Sequence, residues 1–541
     1  MAKQVQKSKQ TVRRLRIITQ VFFLFLFLYL FVKTDYSGEP NINTAVRFFL
    51  EIDPLVALVT ILEYKGFPPD LSRLFLLSGA LLITTVILGR FFCGWICPLG
   101  TINHVVGFRK KISQASIKKS IYSGQQRLKY LFLFLLLILS VFSLQLAGIF
   151  DPISLLIRSL AFTVLPAFHF TAEVISIFFL NHELPVLTSI SEFLYQILRD
   201  NVLPFKVQYF TQNIFIGLLF AMVILLNRLR PRFWCRFICP LGALLAVSSS
   251  YSRVQRQVSQ ACTECNICHS FCQGAPAKNG AKEWNPQECF LCFNCQSVCP
   301  EDAVSFHFRK QKMEQVSSIL PARRALLQSA GAALLAVPLF YTQPSRLRAH
   351  PNLIRPPGSR PESEFLNRCV RCGECMKVCP TNGLQPTFLE AGPEGIWSPH
   401  FIMTIGYCEY SCTLCGQVCP TDAIRTLVEK EKTGLKIGLA FIDVARCLPF
   451  AFNTPCIVCE EHCPTPKKAI IFEEREITTF KGERKIIKFP KVDPHLCIGC
   501  GICENKCPVV DKPAIYITSI GESRAEDNQL ILSDESAGAG Y

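Results

Sequence analysis

Cys289–Pro300 reads CFLCFNCQSVCP. Its cysteines fall at C-x2-C-x2-C-x3-C-P, a spacing in which three thiolates on one tight loop wrap a corner of an iron–sulfur cube. The fourth reaches a neighbouring cluster, and the Pro turns the chain away. A lone CxxC would say little, but this complete string says much, and versions of it occur six times.

All 28 cysteines fall into sets. Six quartets take 24 of them: Cys262, Cys265, Cys268 and Cys272; Cys289, Cys292, Cys295 and Cys299; Cys369, Cys372, Cys375 and Cys379; Cys408, Cys412, Cys415 and Cys419; Cys447, Cys456, Cys459 and Cys463; and Cys497, Cys500, Cys503 and Cys507. The other four form two CxxxCP pairs, Cys93 with Cys97 and Cys235 with Cys239. A disulfide framework belongs to short secreted chains, and this one has 541 residues. Zinc sites present two CxxC halves rather than three evenly spaced Cys and a fourth before Pro. The spacing therefore predicts six [4Fe–4S] clusters. Cys265–His269 matches a haem-attachment CxxCH, but Cys262 and Cys272 flank it at cluster spacing, which makes His269 a bystander.

Half the chain is hydrophobic, Phe alone numbers 43, and only 18% is charged, which points to a membrane segment joined to something soluble. The net charge of +16 does not imply nucleic acid, because the basic residues cluster beside apolar runs. Residues 1–16 carry six Lys/Arg and no acid; Arg109–Lys129 carries seven and none, and Arg228–Arg256 six and none. Spans are expected at Ile17–Val32, Leu71–Leu88, Tyr130–Phe150 and Ile214–Leu226. The basic segments would lie in the cytoplasm and residues 34–69 and 151–211 outside.

Residues 1–250 read as an internal duplication. Asp53-Pro54-Leu55 and Asp151-Pro152-Ile153 follow the first and third spans; FFCGWICPLG (Phe91–Gly100) and FWCRFICPLG (Phe233–Gly242) follow the second and fourth. Two copies in one orientation imply a pseudo-two-fold axis along the membrane normal. That axis would bring Cys93, Cys97, Cys235 and Cys239 together, where they would hold a seventh cluster or remain two redox-active or structural pairs; spacing alone does not choose.

Residues 257–308 read as a cytoplasmic two-cluster module. Cys262, Cys265 and Cys268 take Cys299, and Cys289, Cys292 and Cys295 take Cys272. Residues 309–361 hold Arg323-Arg324 before the weakly apolar Ala325–Tyr341, the shape of a twin-arginine export signal, and then a Pro- and Arg-rich linker. An ordinary fifth span or an amphipathic helix is the alternative, and Arg346, Arg348, Arg355 and Arg360 beyond it run against the charge rule. Residues 362–520 read as an extracytoplasmic four-cluster domain with short strands such as Ala469–Phe472 and Ala514–Thr518. Pairing between neighbouring loops gives Cys419 to the first loop, Cys379 to the second, Cys507 to the third and Cys463 to the fourth; a nested pairing of first with last is the alternative. Residues 521–541 read as a disordered acidic tail. The fold class is thus an α-helical membrane domain with a duplicated two-span repeat, plus small α+β bacterial-type ferredoxin modules on both sides of the membrane.

With four spans, paired CxxxCP motifs and a two-cluster module, residues 1–308 resemble NapH-type membrane ferredoxin proteins, and the duplicated motif is similar to that of NosR-type proteins. Residues 318–520, with Arg-Arg and four cluster loops, resemble NapG/MauM-type proteins. The chain then looks like the two fused, with departures at Arg236, where the first copy has Gly94, and at the missing Pro after Cys272. The resemblance implies a multi-pass inner-membrane quinol dehydrogenase component. It would take electrons from the quinone pool through [4Fe–4S] clusters to an extracytoplasmic reductase or cytochrome. No HExxH, P-loop or GxGxxG is placed for other chemistry. Glu51, Asp53, Asp151, His104 and His169 are the candidate proton carriers for a quinone site, with capping or topological roles as the plainer reading. A redox relay without a quinone site and a maturation factor for a partner metalloenzyme are the competing functions.

Overall fold

The computed structural model describes residues 2–36, 38, 41–42, 46–68, 71–107, 122–182, 185–204, 206–277, 282–308, 321–341, 352–478, 484–525 and 528, including every cysteine. The basic stretch 109–121, Arg309, Lys310, Lys312, Arg346, Arg348 and almost all of the expected tail lie outside them. The chain forms two compact units. One comprises Met1–Lys33, Ala45–Leu160 and Ile214–Leu339; the other comprises Thr34–Thr44, Ala161–Asn213 and Phe340–Tyr541.

The first unit is helical. Its N-terminal helix, Ala2–Lys33, carries the apolar Thr11–Lys33, and Gly124–Val141 is a second stretch long and apolar enough to cross a bilayer. Pro54–Tyr64, Ser72–Leu88 and Asn213–Arg228 are shorter apolar helices. The expected third span breaks at its end: helix Leu128–Val141 stops, and a turn leads to Ala147–Phe150. A third long apolar helix, Pro152–Asn181, stands where the charge pattern implied an outer connection, with a π-helical turn at Leu160–Val164. The helix Arg323–Tyr341 contains Pro338.

Both Asp-Pro motifs do the same local work. Asp53 accepts from the amides of Leu55 (2.7 Å) and Val56 (3.4 Å), and Asp151 from those of Ile153 (3.1 Å) and Ser154 (2.7 Å), each with Pro at the first helical position. The CxxxCP motifs also match: Cys97 Sγ accepts from the Gly100 amide (3.4 Å) and Cys239 Sγ from the Gly242 amide (3.2 Å). Strands β1 (Val254–Val258) and β2 (Val304–Phe308) pair antiparallel and bracket the two inner quartets in sequence.

The second unit is α+β. Strands β3 (Leu384–Pro386) and β4 (Pro399–Phe401) pair near its first quartets. Strand β5 (Leu439–Ile442) is followed by the hairpin of β6 (Ile470–Thr478) and β7 (Arg484–Val492), and β5 pairs with β8 (Ile515–Thr518). Phe365, Met376, Val378 and Val418 are fully enclosed between the first two cysteine loops.

Candidate metal centres

The six cysteine loops are of two kinds. In the four regular ones, both residues flanking the second Cys adopt left-handed backbone: Glu264 and Asn266, Leu291 and Phe293, Arg371 and Gly373, Gly499 and Gly501. A left-handed pair curls the loop so that successive N–H groups turn inward, a concavity suited to an anionic group. Leu291 and Phe293 tolerate this poorly as L-residues, which marks a conformation imposed by what the loop encloses. In the irregular loops, Thr413 (φ −120°) and Ile457 (φ −126°) remain right-handed or extended, because the longer x3 and x8 openings take up the curvature.

In the inner module Cys268 faces Cys262, Cys265 and Cys299, whereas Cys272 faces Cys289 and Cys292. Cys268, Cys272, Cys289, Cys292 and Cys295 line one cavity of about 490 Å³, which His269 also borders. In the second unit Cys372 and Cys375 face Cys369 and Cys419, while Cys408, Cys412 and Cys415 face Cys379. Cys369, Cys372, Cys375 and Cys419 border a second cavity, of about 370 Å³. Cys447 faces Cys456 and Cys507, and Cys497, Cys500 and Cys503 face Cys463. The thiols therefore sort by exchange between adjacent loops rather than by first-with-last nesting. Among the described residues no three His, Cys, Asp or Glu converge as ligands of a single ion; a cubane spreads its four thiolates over the corners of a cube. Burial drives these thiols upward, Cys272 and Cys500 to about 12 and Cys289 and Cys408 to about 11, so their thiolates need a cationic metal core.

The remaining four cysteines converge as well. Cys239 is surrounded by Cys235, Cys93 and Cys97, and all four are buried. An arginine next to each CxxxCP motif reaches across to the other motif. Arg232 Nη1 donates to the Cys93 carbonyl (2.6 Å), and Arg90 Nη2 lies beside Gly242. Both guanidinium groups lie over the Phe290 ring, at 4.6 Å (Arg90) and 4.9 Å (Arg232). Phe290 thus plugs the Cys289 loop onto the quartet. Gly94 is required there: a Cβ would lie 2.1 Å from the Phe290 carbonyl oxygen. The second copy has Arg236 at this position, fully buried and bonded to Gln126 Oε1 (3.2 Å).

Arg90, Lys129, Arg232 and Arg236 are all inaccessible, and Glu288 is the carboxylate enclosed with them, contacting Lys129, Arg90, Gln126 and Tyr130. Nε and Nη2 of both Arg90 and Arg232 have no hydrogen-bond partner among the described residues. Buried cations in such excess demand an anion. A [4Fe–4S] cluster on four thiolates is anionic and accepts hydrogen bonds at its sulfurs, so the donor set fits it. In the sequence Arg232 and Arg236 read as topological charge; their role appears only once they are seen folded inward.

Of the candidate proton carriers, Glu51 is committed to ion pairs with Arg47 (3.2 Å) and Arg73 (2.9 Å). Asp53 and Asp151 are helix caps, and their carboxyls meet each other. His169 is buried in the long apolar helix. His104 borders a cavity of about 380 Å³ with Asn103, Arg232, Cys272 and Asn294. Burial, with Arg232, Arg16 and Arg13, lowers its pKa to about 2 and keeps the imidazole neutral.

A family model described as a 4Fe-4S binding domain matches residues 70–114 and again 211–256, the two CxxxCP regions. A 4Fe-4S dicluster domain model matches 368–423, and a further 4Fe-4S binding domain model 490–510. The methylamine utilization ferredoxin-type protein MauM of Methylorubrum extorquens is 34% identical over 206 residues, 36% of this chain and 89% of that protein. The chain belongs to the MauM/NapG ferredoxin-type family. Within it, the ferredoxin-type protein NapG of Escherichia coli is 32% identical over 206 residues, 38% of this chain and 86% of NapG. MauM of Paracoccus denitrificans is 32% identical over 203 residues, covering 37% and 84%. No solved structure matches. This family member is an iron–sulfur electron-transfer protein whose apolar helices suit membrane association.

Proposed function

We propose that this MauM/NapG family member draws electrons from quinol in the bilayer and delivers them to an extracytoplasmic reductase or cytochrome. Its six cysteine quartets each hold a [4Fe–4S] cluster, and Cys93, Cys97, Cys235 and Cys239 hold a seventh. The carrying observation is that last quartet, set among apolar helices, ringed by unpaired arginine N–H groups and plugged by Phe290. The clusters, when bound, supply one-electron carriers that take up no protons. Quinol oxidation releases two electrons and two protons, so a proton-accepting group must stand near the entry. His104 is the candidate because it borders a cavity that Cys272 also lines; for it to take up a proton, an anionic cluster bound nearby must offset the burial and arginine charge that lower its pKa. Residues 1–308 supply the NapH-like portion, with 1–250 in the membrane and 257–308 cytoplasmic; 309–361 carry the chain out behind Arg323-Arg324, and 362–520 lie outside.

The test is to add a reduced menaquinol analogue to the purified protein and follow bleaching of the iron–sulfur absorbance. Quinol should bleach it, and His104→Ala should slow the bleaching more than about tenfold at unchanged iron content. An iron–sulfur protein that dithionite bleaches and quinol does not would be the relay without a quinone site.

A further inference from the structure

Chain order numbers the outer sites one to four: Cys369, Cys372, Cys375 and Cys419; Cys379, Cys408, Cys412 and Cys415; Cys447, Cys456, Cys459 and Cys507; Cys463, Cys497, Cys500 and Cys503. Space orders them differently. The Cys408 amide donates to the Cys500 carbonyl (2.8 Å), joining a ligand of the second site directly to a ligand of the fourth. The same seam is closed by Asn505 Nδ2, which donates to the Met403 carbonyl (3.0 Å), and by the Ile437 amide, which donates to the Ile498 carbonyl (3.0 Å). Within each half the exchanged cysteines tie the first site to the second and the third to the fourth. Cys375 lies within electrostatic reach of Cys415, and Cys503 of Cys459.

The two ends differ. At the first site Cys369, Cys372 and Cys375 are buried and only Cys419 is part-exposed. Phe162, from the long apolar helix, sits so close over Gly373 that a Cβ there would lie 2.7 Å from its ring. Lys377, just beyond, donates to the Thr34 carbonyl, and Gln208 Nε2 donates to the Lys377 carbonyl (2.6 Å). The segments that continue from apolar helices therefore hold the first site. At the third site only Cys447 is buried; Cys456, Cys459 and Cys507 are part-exposed, and the short helix Val458–Glu461 buries none of its residues. Phe452, Ile457 and Val510 stand exposed beside those thiols (64%, 41% and 87%). The x8 opening of this loop is what carries Phe452 out on the turn Leu448–Phe452.

We propose that the outer sites form a line in the order first, second, fourth, third, joined at Cys408 and Cys500, with the buried first site as the entry and the exposed third site as the exit. This rests on the proposed outward electron flow. One electron passes per step, from quinol as donor to an extracytoplasmic redox protein as acceptor, with no proton carried.

The test uses the full-length protein reduced with dithionite, so it runs whether or not quinol proves to be the donor. Pulsed EPR should show the second site coupled to the fourth, and Cys503→Ser should remove that coupling while leaving the first-to-second coupling intact. Coupling between the second and third sites that survives Cys503→Ser would overturn the order. A dysprosium chelate added in solution should enhance relaxation of the third site several-fold more than that of the first; the reverse ranking would overturn the assignment of ends. Because Cys503→Ser carries a risk of misfolding, Asn505→Ala serves as the milder variant. It should weaken the second-to-fourth coupling at unchanged iron content, and an unchanged coupling would argue against the seam. Failure of quinol to reduce a protein that shows these couplings would sink the donor reading and leave the order standing.

Discussion

At the first site of the second unit, Cys369, Cys372 and Cys375 come from one short loop and Cys419 arrives from elsewhere. At the CxxxCP quartet each motif brings two thiols, Cys93 with Cys97 and Cys235 with Cys239, and neither motif supplies a third. The loop has spent its closure entropy locally, in a turn whose left-handed residues are written into Arg371 and Gly373. The quartet depends on the packing of two distant halves, and that packing is secured by charge: arginines exchanged between the halves, one plugging phenylalanine and one shared carboxylate, Glu288. A site built from a loop survives damage to its surroundings; a site built from an interface does not.

The contrast can be broken at several points. The largest effect belongs to the ligands. Cys97→Ser should remove one whole centre, so that iron falls from about 28 to about 24 per chain at four Fe per cubane. Cys419→Ser should empty the first outer site and Cys379→Ser the second. Iron counting and EPR of each variant check this, and loss of the wrong site would refute the loop exchange. Next comes Glu288→Gln, which leaves Lys129 and Arg90 buried against a neutral amide. Breaking a buried ion pair costs about 3–5 kcal/mol, so the first unit should lose that much in thermal or denaturant unfolding, whereas an outer-loop change leaves it untouched. Gly94→Ala drives a Cβ into the Phe290 carbonyl and should cost about 1–3 kcal/mol, with the spectrum of the Cys289 site perturbed as well.

A pH effect separates the units. Burial opposes ionisation of Glu362, but Arg355 and Arg524 outweigh it and hold the carboxyl at about 2. A depressed carboxylate stabilises the fold above its ordinary value of 4.5, and that contribution is lost as pH falls from there toward 2. With its partial exposure allowed for, about 2 kcal/mol should leave the second unit over this window, and Glu362→Gln should flatten the acid limb of its unfolding curve. Smallest is Arg232→Gln, which removes a cation and donors from beside the quartet. Its reduction potential should drop in a redox titration, with the outer centres unmoved.

Several of these features could not be read ahead of the fold. Arg232 and Arg236 fell in a basic, acid-free stretch and counted as loop charge, because a sequence lists charges without saying which are solvated; the structure encloses both completely. The helix Pro152–Asn181 is not legible from its flanks, which are mixed in charge, because flank charge reports orientation rather than helicity. Tyr130–Phe150 read as one continuous apolar run, yet it stops at Val141, since apolar composition does not reveal where tertiary packing turns the chain.

Cysteine spacing by itself determined the chemistry: C-x2-C-x2-C is a loop whose geometry is local, so its three thiols are legible from a dozen residues. The Asp-Pro caps were legible for the same reason, being contacts between residues two or three apart. Only the tertiary structure decided which loop lends the fourth thiol, that the four CxxxCP cysteines meet, and that Cys408 meets Cys500. Each of these joins residues far apart in the chain, and what brings them together is the burial of charge and apolar surface across the whole unit, which no short window of sequence contains.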